Sequence, residues 1–371
     1  MRILLVPSAA ESTLSTGALV AQNIADLAAR DGHFAGICAP AAMGFRGASL
    51  YPAEMPLSGF HPLRHRRDPG RTHEEYLYAA GMLDHDYLKA DVEAVSHAIQ
   101  EFQPELILDL GRPAALISAR RAGVPCWSFV HAAMYRSRPF PRECLSQLND
   151  VLSEYGLEQV LRVSDLCRAA AQRITFSPAS IQPFADLSGI TRFGCMSLFP
   201  ASRQVKRHIS IFLGRSRISP RRLKRMISDA WKGAPYEVYI WIRGISASQE
   251  GNLHFQASPR MQVIEGSEAC IHDGCEYVFN QCLCLGVPQM LITDGTWRSS
   301  WNANAAVRLG IGVTLDADLV TMAALYEGYR RLLSDDGYRA RCDLIARQAC
   351  ALGDLSEFMS LLNAKSLPAG S

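Results

Sequence analysis

The sequence predicts an α/β protein built from two doubly wound parallel-sheet domains, and three observations carry that prediction. The first is a strand, helix and strand in direct succession at the N-terminus, the order of a parallel βαβ unit. The second is a fresh start of the same alternation at His208 after a polar, turn-bearing stretch around Pro200 to Lys206. The third is a length of 371 residues with 48% hydrophobic and 20% charged residues, enough apolar surface for two full cores and too much for a disordered or fibrous chain.

The elements follow in order. Arg2 to Val6 reads as a buried strand ending at Pro7, and Val20, Ile24 and Leu27 mark a helix closed by Asp31-Gly32. Phe34 to Ala39 is the next strand. Between Ala41 and Gly81 the chain is rich in Pro, Gly, Arg and His without a period, which reads as an irregular excursion. Leu88, Val92, Val95, Ile99 and Phe102 then recur at steps of four and three, a helix that Pro104 ends. Glu105 to Asp109 reads as a strand, Pro113 to Ala122 as a helix and Val124 to Val130 as a strand. The second half offers strands at His208 to Leu213, Tyr236 to Ile242, Glu268 to His272 and Val287 to Ile292. Helices are expected from Pro220, within Tyr277 to Leu285, and from Leu319 to Leu333, where Leu319, Met322, Tyr326, Tyr329 and Leu333 form a stripe read as core. The expected domains are 1–204, 205–345 and a helical tail 346–371 that packs back toward the first domain. In such sheets ligands bind outside the carboxyl ends of the strands. The loops after Val6, Asp109, Leu213, Ile242 and His272 are therefore the candidate site.

Charge and composition exclude several classes. Thirty-eight basic against thirty-six acidic residues leave a net charge of +2, without the excess of a non-specific nucleic-acid or polybasic membrane binder. No run approaches the roughly 18 apolar residues of a membrane span. Eleven cysteines in a chain of this size read as reduced packing residues of a cytoplasmic protein. Cys270, His272, Cys275, Cys282 and Cys284 lack a CxxC pair, and residues 282 and 284 fall on different helix faces, so no metal is assigned.

From His272-Asp273-Gly274-Cys275-Glu276-Tyr277-Val278 through Gln281-Cys282-Leu283 to Gly286-Val287-Pro288-Gln289, the chain resembles the HHGGxGTxxEALxxGVPQ pattern of GT-B nucleotide-sugar glycosyltransferases. The group is the bacterial macrolide-type and UDP-glycosyltransferase one. Asn302-Ala303, Leu309-Gly310-Ile311-Gly312-Val313 and Tyr338-Arg339-Ala340-Arg341 extend the resemblance, and Glu74-Glu75-Tyr76, Pro104 to Asp109 and Ala122 to Pro125 carry it more loosely into the first half. It implies two Rossmann-like domains facing a central cleft and inverting transfer of a sugar, by a metal-independent hexosyltransferase, from a nucleotide-activated donor to a small natural-product-like acceptor. The nucleotide-sugar is then a co-substrate and no cofactor is implied; homo-oligomers are compatible with it.

Departures fall on the positions that carry the family's chemistry. The loop Ser8 to Gly17 lacks the acceptor-activating His and offers Glu11 as base, with Ser12 beside it; Asp109 matches the orienting aspartate. Asp273 stands where a His meets the diphosphate, and Cys275, Tyr277 and Val278 replace Gly, Gly and Thr of the phosphate turn, leaving Gly274. Gln281 replaces the acid that holds the ribose hydroxyls. Ala257-Ser258-Pro259-Arg260 lies at the base-stacking Trp motif, and Arg298-Ser299 at the sugar-binding pair. Arg215, Arg217, Arg260 and Arg298 are the groups expected to supply the missing positive charge at the donor, with Gly214, Arg243 and His272 also in its wall. Arg221, Arg222, Lys224 and Arg225 read as a solvated helix face. Ser12, His131 and Trp297 are candidates for the acceptor side. Two alternatives stay open: a transferase-inactive relative acting as a partner subunit or ligand-binding protein, and an enzyme of different chemistry on an anionic ligand.

Overall fold

The computed structural model describes residues 1–8, 15–54, 72–135, 142–186, 188–198, 208–214 and 216–366. Glu11, Ser12 and Arg215 lie outside them, as does the expected domain boundary at 204/205. The chain forms two compact units, one of residues 1–176, 182–193 and 355–371, the other of 177–181 and 194–354.

The first unit runs β1 (Arg2–Pro7), α1 (Thr16–Arg30), β2 (Phe34–Ala39), β3 (Ser49–Pro52), α2 (His73–Ala79), α3 (His85–Phe102), β4 (Leu106–Leu110), α4 (Pro113–Ala122), β5 (Cys126–Phe129), α5 (Arg142–Glu154), α6 (Val163–Arg168), β6 (Gln172–Phe176) and β7 (Ile190–Phe193). Among the described residues its strands form one seven-stranded parallel sheet in the order β3-β2-β1-β4-β5-β6-β7. Helix α3 buries the predicted stripe Leu88, Val92, Val95, Ile99 and Phe102. Pro113 sits in the first turn of α4, and Gly123, with φ of 66°, ends it in the left-handed conformation that glycine adopts without steric cost. The irregular excursion expected between Ala41 and Gly81 contains β3 and the short α2, whose Thr72 and Glu75 form a reciprocal capping box.

The second unit runs β8 (His208–Leu213), α7 (Pro220–Trp231), β9 (Glu237–Ile242), β10 (Ser248–Glu250), β11 (Leu253–Phe255), β12 (Ser267–His272), α8 (Glu276–Leu285), β13 (Gln289–Thr293), α9 (Trp297–Arg308), β14 (Gly312–Asp316), α10 (Met322–Ser334) and α11 (Asp336–Cys350). The sheet order is β10-β11-β9-β8-β12-β13-β14, parallel except for the β10–β11 hairpin. Every residue of β8 is buried, as a strand covered by helices on both faces requires. The stripe read as core on α10 is a correction. Leu325, Tyr329 and Leu332 face inward, whereas Leu319, Met322, Tyr326 and Leu333 are exposed. The helix α12 (Leu355–Ser366) belongs to the first unit, where Phe358 packs edge-on against Trp127, Phe129 and Phe193.

Each sheet reverses its strand order once, at β1/β4 and at β8/β12. Such a switch point opens a crevice at the carboxyl ends of the two strands, where doubly wound sheets take ligands.

Candidate functional site

At the first switch point, Val6 pairs with Asp109 and Pro7 with Leu110, so the loop that follows β1 leaves the sheet beside Asp109. The Asp109 carboxyl is buried. Its Oδ1 accepts the N–H of Gly111 at 2.9 Å and of Arg112 at 2.7 Å, and its Oδ2 accepts the Ser128 hydroxyl at 2.6 Å. Burial pushes this carboxyl up to about 6 against those three donors. Arg112 is itself buried. Its Nε donates to both Asp91 oxygens at 3.1 and 2.9 Å, its Nη2 also reaches Asp91, and Nη1 donates to the Cys38 carbonyl at 2.8 Å. The turn that presents Asp109 is thereby tied to α3 and to β2. His131 is buried after β5, with Nδ1 accepting the Ala133 N–H at 3.0 Å.

At the second switch point, Gly214 follows β8 and Asp273 follows β12. Asp273 Oδ2 accepts the Gly214 N–H at 2.8 Å and Oδ1 accepts the Cys275 N–H at 3.0 Å, at the start of α8. The negative charge that the sequence places in this turn is thus bonded to two backbone donors. Gly214 has no room for a side chain, because a Cβ there meets the Trp241 ring at 2.8 Å. Gly274 has φ of 80°, and its Cβ position lies 2.7 Å from Ser299 Oγ. From α9, Ser299 donates to the Asp273 carbonyl and Asn302 to the Gly274 carbonyl, each at 3.1 Å. His272 is buried beneath the turn: Nδ1 accepts the Gly274 N–H at 3.1 Å and Nε2 lies 2.9 Å from Gln289 Oε1. Burial holds its imidazole down at about 4, so it is neutral near pH 7.

The remaining expected donor residues do not meet at one point. The Arg298 Nε lies 3.1 Å from Glu276 Oε2 in the first turn of α8, with the guanidinium over the buried Trp297 ring. Gln281 is buried, with its amide on the Ser197 hydroxyl at 2.8 Å and on Cys195 Sγ at 3.5 Å. Arg217, Arg243 and Arg260 are exposed, and Arg217 pairs with Asp318 at 3.6 Å. Asn302 shapes the turn without having been read as a site residue, although the Asn302-Ala303 resemblance marks it, and Ser299, read at the sugar-binding pair, bonds the turn's own backbone. Among the described residues, no three His, Cys, Asp or Glu side chains converge to hold a metal ion, and no helix is long and apolar enough to cross a membrane.

Comparison with known proteins agrees with this geometry. Two doubly wound sheets switching in this order define a GT-B-fold protein, and solved structures of that class match the chain over almost its whole length. They include the glycotransferase of kitacinnamycin, with a TM-score of 0.72 at 20% identity over 99% of this chain and 98% of that one. They also include the spinosyn rhamnosyltransferase SpnG complexed with thymidine diphosphate, with a TM-score of 0.72 at 18% identity over 98% of this chain and 100% of that one. Within the class, residues 251–362 match the family described as erythromycin biosynthesis protein CIII-like, C-terminal domain. Over 105 residues the chain is 29% identical to the aclacinomycin-T 2-deoxy-L-fucose transferase of Streptomyces galilaeus, a match that spans 28% of this chain and about a quarter (24%) of that protein.

Proposed function

We propose that the protein is a glycosyltransferase that moves a sugar, with inversion, from a nucleotide-activated donor at the second unit to a small natural-product-like acceptor at the first. The observation that carries this reading is that the family match over 251–362 includes the β12 side of the β8/β12 switch point, where Gly274 keeps the glycine turn at the N-terminus of α8. In the reaction the acceptor oxygen bonds to the anomeric carbon as the bond from that carbon to the diphosphate oxygen breaks, and the diphosphate leaves with the electron pair. Glu11 takes the acceptor proton in this reading, and Asp109, beside the start of its loop, orients it. Of the arginines expected at the donor, Arg215, next to Gly214 in the sequence, is assigned the leaving charge in this reading, a role that a positioned cation fills by transition-state stabilisation. Cytoplasmic location, on the cysteine argument above, and homo-oligomerisation belong to the same reading; light scattering on the purified chain tests the latter.

A thermal-shift panel of nucleosides, nucleoside diphosphates and sugar nucleotides tests it, since a ligand of the native state stabilises by RT ln(1 + [L]/Kd). Thymidine diphosphate, the ligand named for the spinosyn neighbour, heads the panel. A rise in melting temperature with at least one diphosphate is expected. A flat response to every nucleotide at millimolar concentration overturns the reading.

A further inference from the structure

At the crevice between β8 and β12 two backbone amides are already taken by a carboxyl of the chain itself, that of Asp273. The two amides that Asp273 occupies are the first one after β8 and the one at the N-cap of α8. Backbone donors at a helix N-terminus beside a glycine turn are the groups that receive phosphate oxygens. Asp273 is 7% exposed, so its carboxylate is no solvated side chain that swings clear at little cost. The surrounding residues are fitted to it: Trp241 closes over Gly214, and Ser299 and Asn302 fix the carbonyls of residues 273 and 274. The Asn302 bond to the Gly274 carbonyl holds the peptide whose N–H, that of Cys275, meets the carboxylate, while the Gly274 N–H turns the other way, to His272 Nδ1.

Resting on the donor reading above, we propose that Asp273 is a specificity-determining residue. It acts as an internal anion that fills one phosphate-oxygen position and weakens diphosphate binding while leaving nucleoside binding alone. A carboxylate and a phosphate oxygen compete for the same two N–H groups, and like charges a few ångströms apart repel. The diphosphate of a bound donor is therefore held further from these two amides, or binds with this carboxylate displaced.

The test measures affinities of thymidine, thymidine diphosphate and inorganic pyrophosphate for the full chain by calorimetry at one fixed salt concentration, in the wild type, Asp273→Ser and Asp273→Asn. Both substitutions are expected to tighten thymidine diphosphate binding tenfold or more, to confer measurable pyrophosphate binding, and to leave thymidine within twofold. Asp273→Asn keeps one acceptor oxygen on the turn, so it carries the test alone if the serine variant does not fold. Wild-type binding of thymidine diphosphate that stays unchanged or weakens in the variants, with thymidine retained, overturns the role of Asp273 and leaves the donor reading standing. Absence of nucleotide and nucleoside binding in all three proteins sinks the donor reading, and the proposal with it.

Discussion

The Ser128 hydroxyl donates to Asp109 Oδ2 at 2.6 Å, which places a neutral donor against this buried carboxyl of the first switch point, while the nearby Arg112 guanidinium is bonded to Asp91. Burial raises that carboxyl to about 6, whereas in an unfolded chain it titrates near ~3.9. The native state therefore holds the proton more tightly. Stability from this group is full below about pH 4 and declines as pH rises through about 6, by roughly 1.4 kcal/mol per pH unit inside that window. In Asp109→Asn the amide oxygen still accepts from Gly111 and Arg112, and the amide nitrogen donates to Ser128. Denaturant midpoints of the two proteins across pH 4 to 7 are expected to diverge, with the variant gaining relative to the wild type as pH rises. Parallel curves count against the assignment.

His272 in the second unit is linked to pH with the opposite sign. Its folded value, held down near 4 by burial, lies below the ~6.5 of an unfolded histidine, so the unfolded chain binds the extra proton first. Stability from this group is full above about pH 6.5 and is lost as pH falls toward 4. His272→Asn retains an acceptor for the Gly274 N–H but abandons Gln289, whose buried amide loses a partner. The variant is expected to be less stable at pH 8, by about 1–3 kcal/mol, and to lack the acid-side slope of the wild type. Hydrogen exchange in β12 and β13 at pH 5 and pH 8 reads this locally.

The Arg112–Asp91 pair has side-chain exposures of 0% and 1%, so neither partner can fall back on water. Removing one leaves a buried charge uncompensated, and Asp91→Leu or Arg112→Met is expected to cost about 3–5 kcal/mol. The double variant Asp91→Leu/Arg112→Met removes both charges and is expected to recover much of that loss, as apolar replacements of buried pairs do. Unfolding midpoints of the four proteins complete the cycle. Single losses below about 1 kcal/mol contradict a desolvated pair.

Spacing made much of this fold legible. The α3 stripe, the Pro113 start and Gly123 end of α4, and the Ile209, Ile211, Phe212 and Leu213 of β8 are local signals, and the structure realises each. Elements whose signal is not local escaped. β3 is four residues at a sheet edge, and β6 opens on Gln172-Arg173, so neither shows an apolar run. Leu319, just before α10, and Met322, Tyr326, Tyr329 and Leu333 on it make a stripe as regular as a core face, yet of these only Tyr329 is buried. Periodicity shows that a stripe exists, and only packing shows that Leu325, Tyr329 and Leu332 are the side turned inward. At the site, the resemblance located the His272–Gln289 turn but not what its groups bond. Asp273 and Gly214 are 59 residues apart, and Gln281 and Ser197 are 84 apart. Contacts of that range follow from the sheet order.

Gly274 offers the sharpest test of how the second turn is held. Its φ of 80° is a conformation L side chains rarely adopt, and a Cβ there lies 2.7 Å from Ser299 Oγ and 3.0 Å from both Ser299 Cα and Cβ. Gly274→Ala is expected to destabilise the protein by about 1–3 kcal/mol through backbone strain and collision together. Ser299→Ala removes only the hydroxyl, and with it the bond to the Asp273 carbonyl. The double variant Gly274→Ala/Ser299→Ala is therefore expected to recover less than half of the Gly274→Ala loss, because the backbone conformation and the two carbon contacts persist. Full recovery would mean that the collision with the hydroxyl is the whole effect and that the left-handed backbone at 274 costs nothing. Melting midpoints of the wild type, both single variants and the double variant, measured in one buffer, decide between these outcomes.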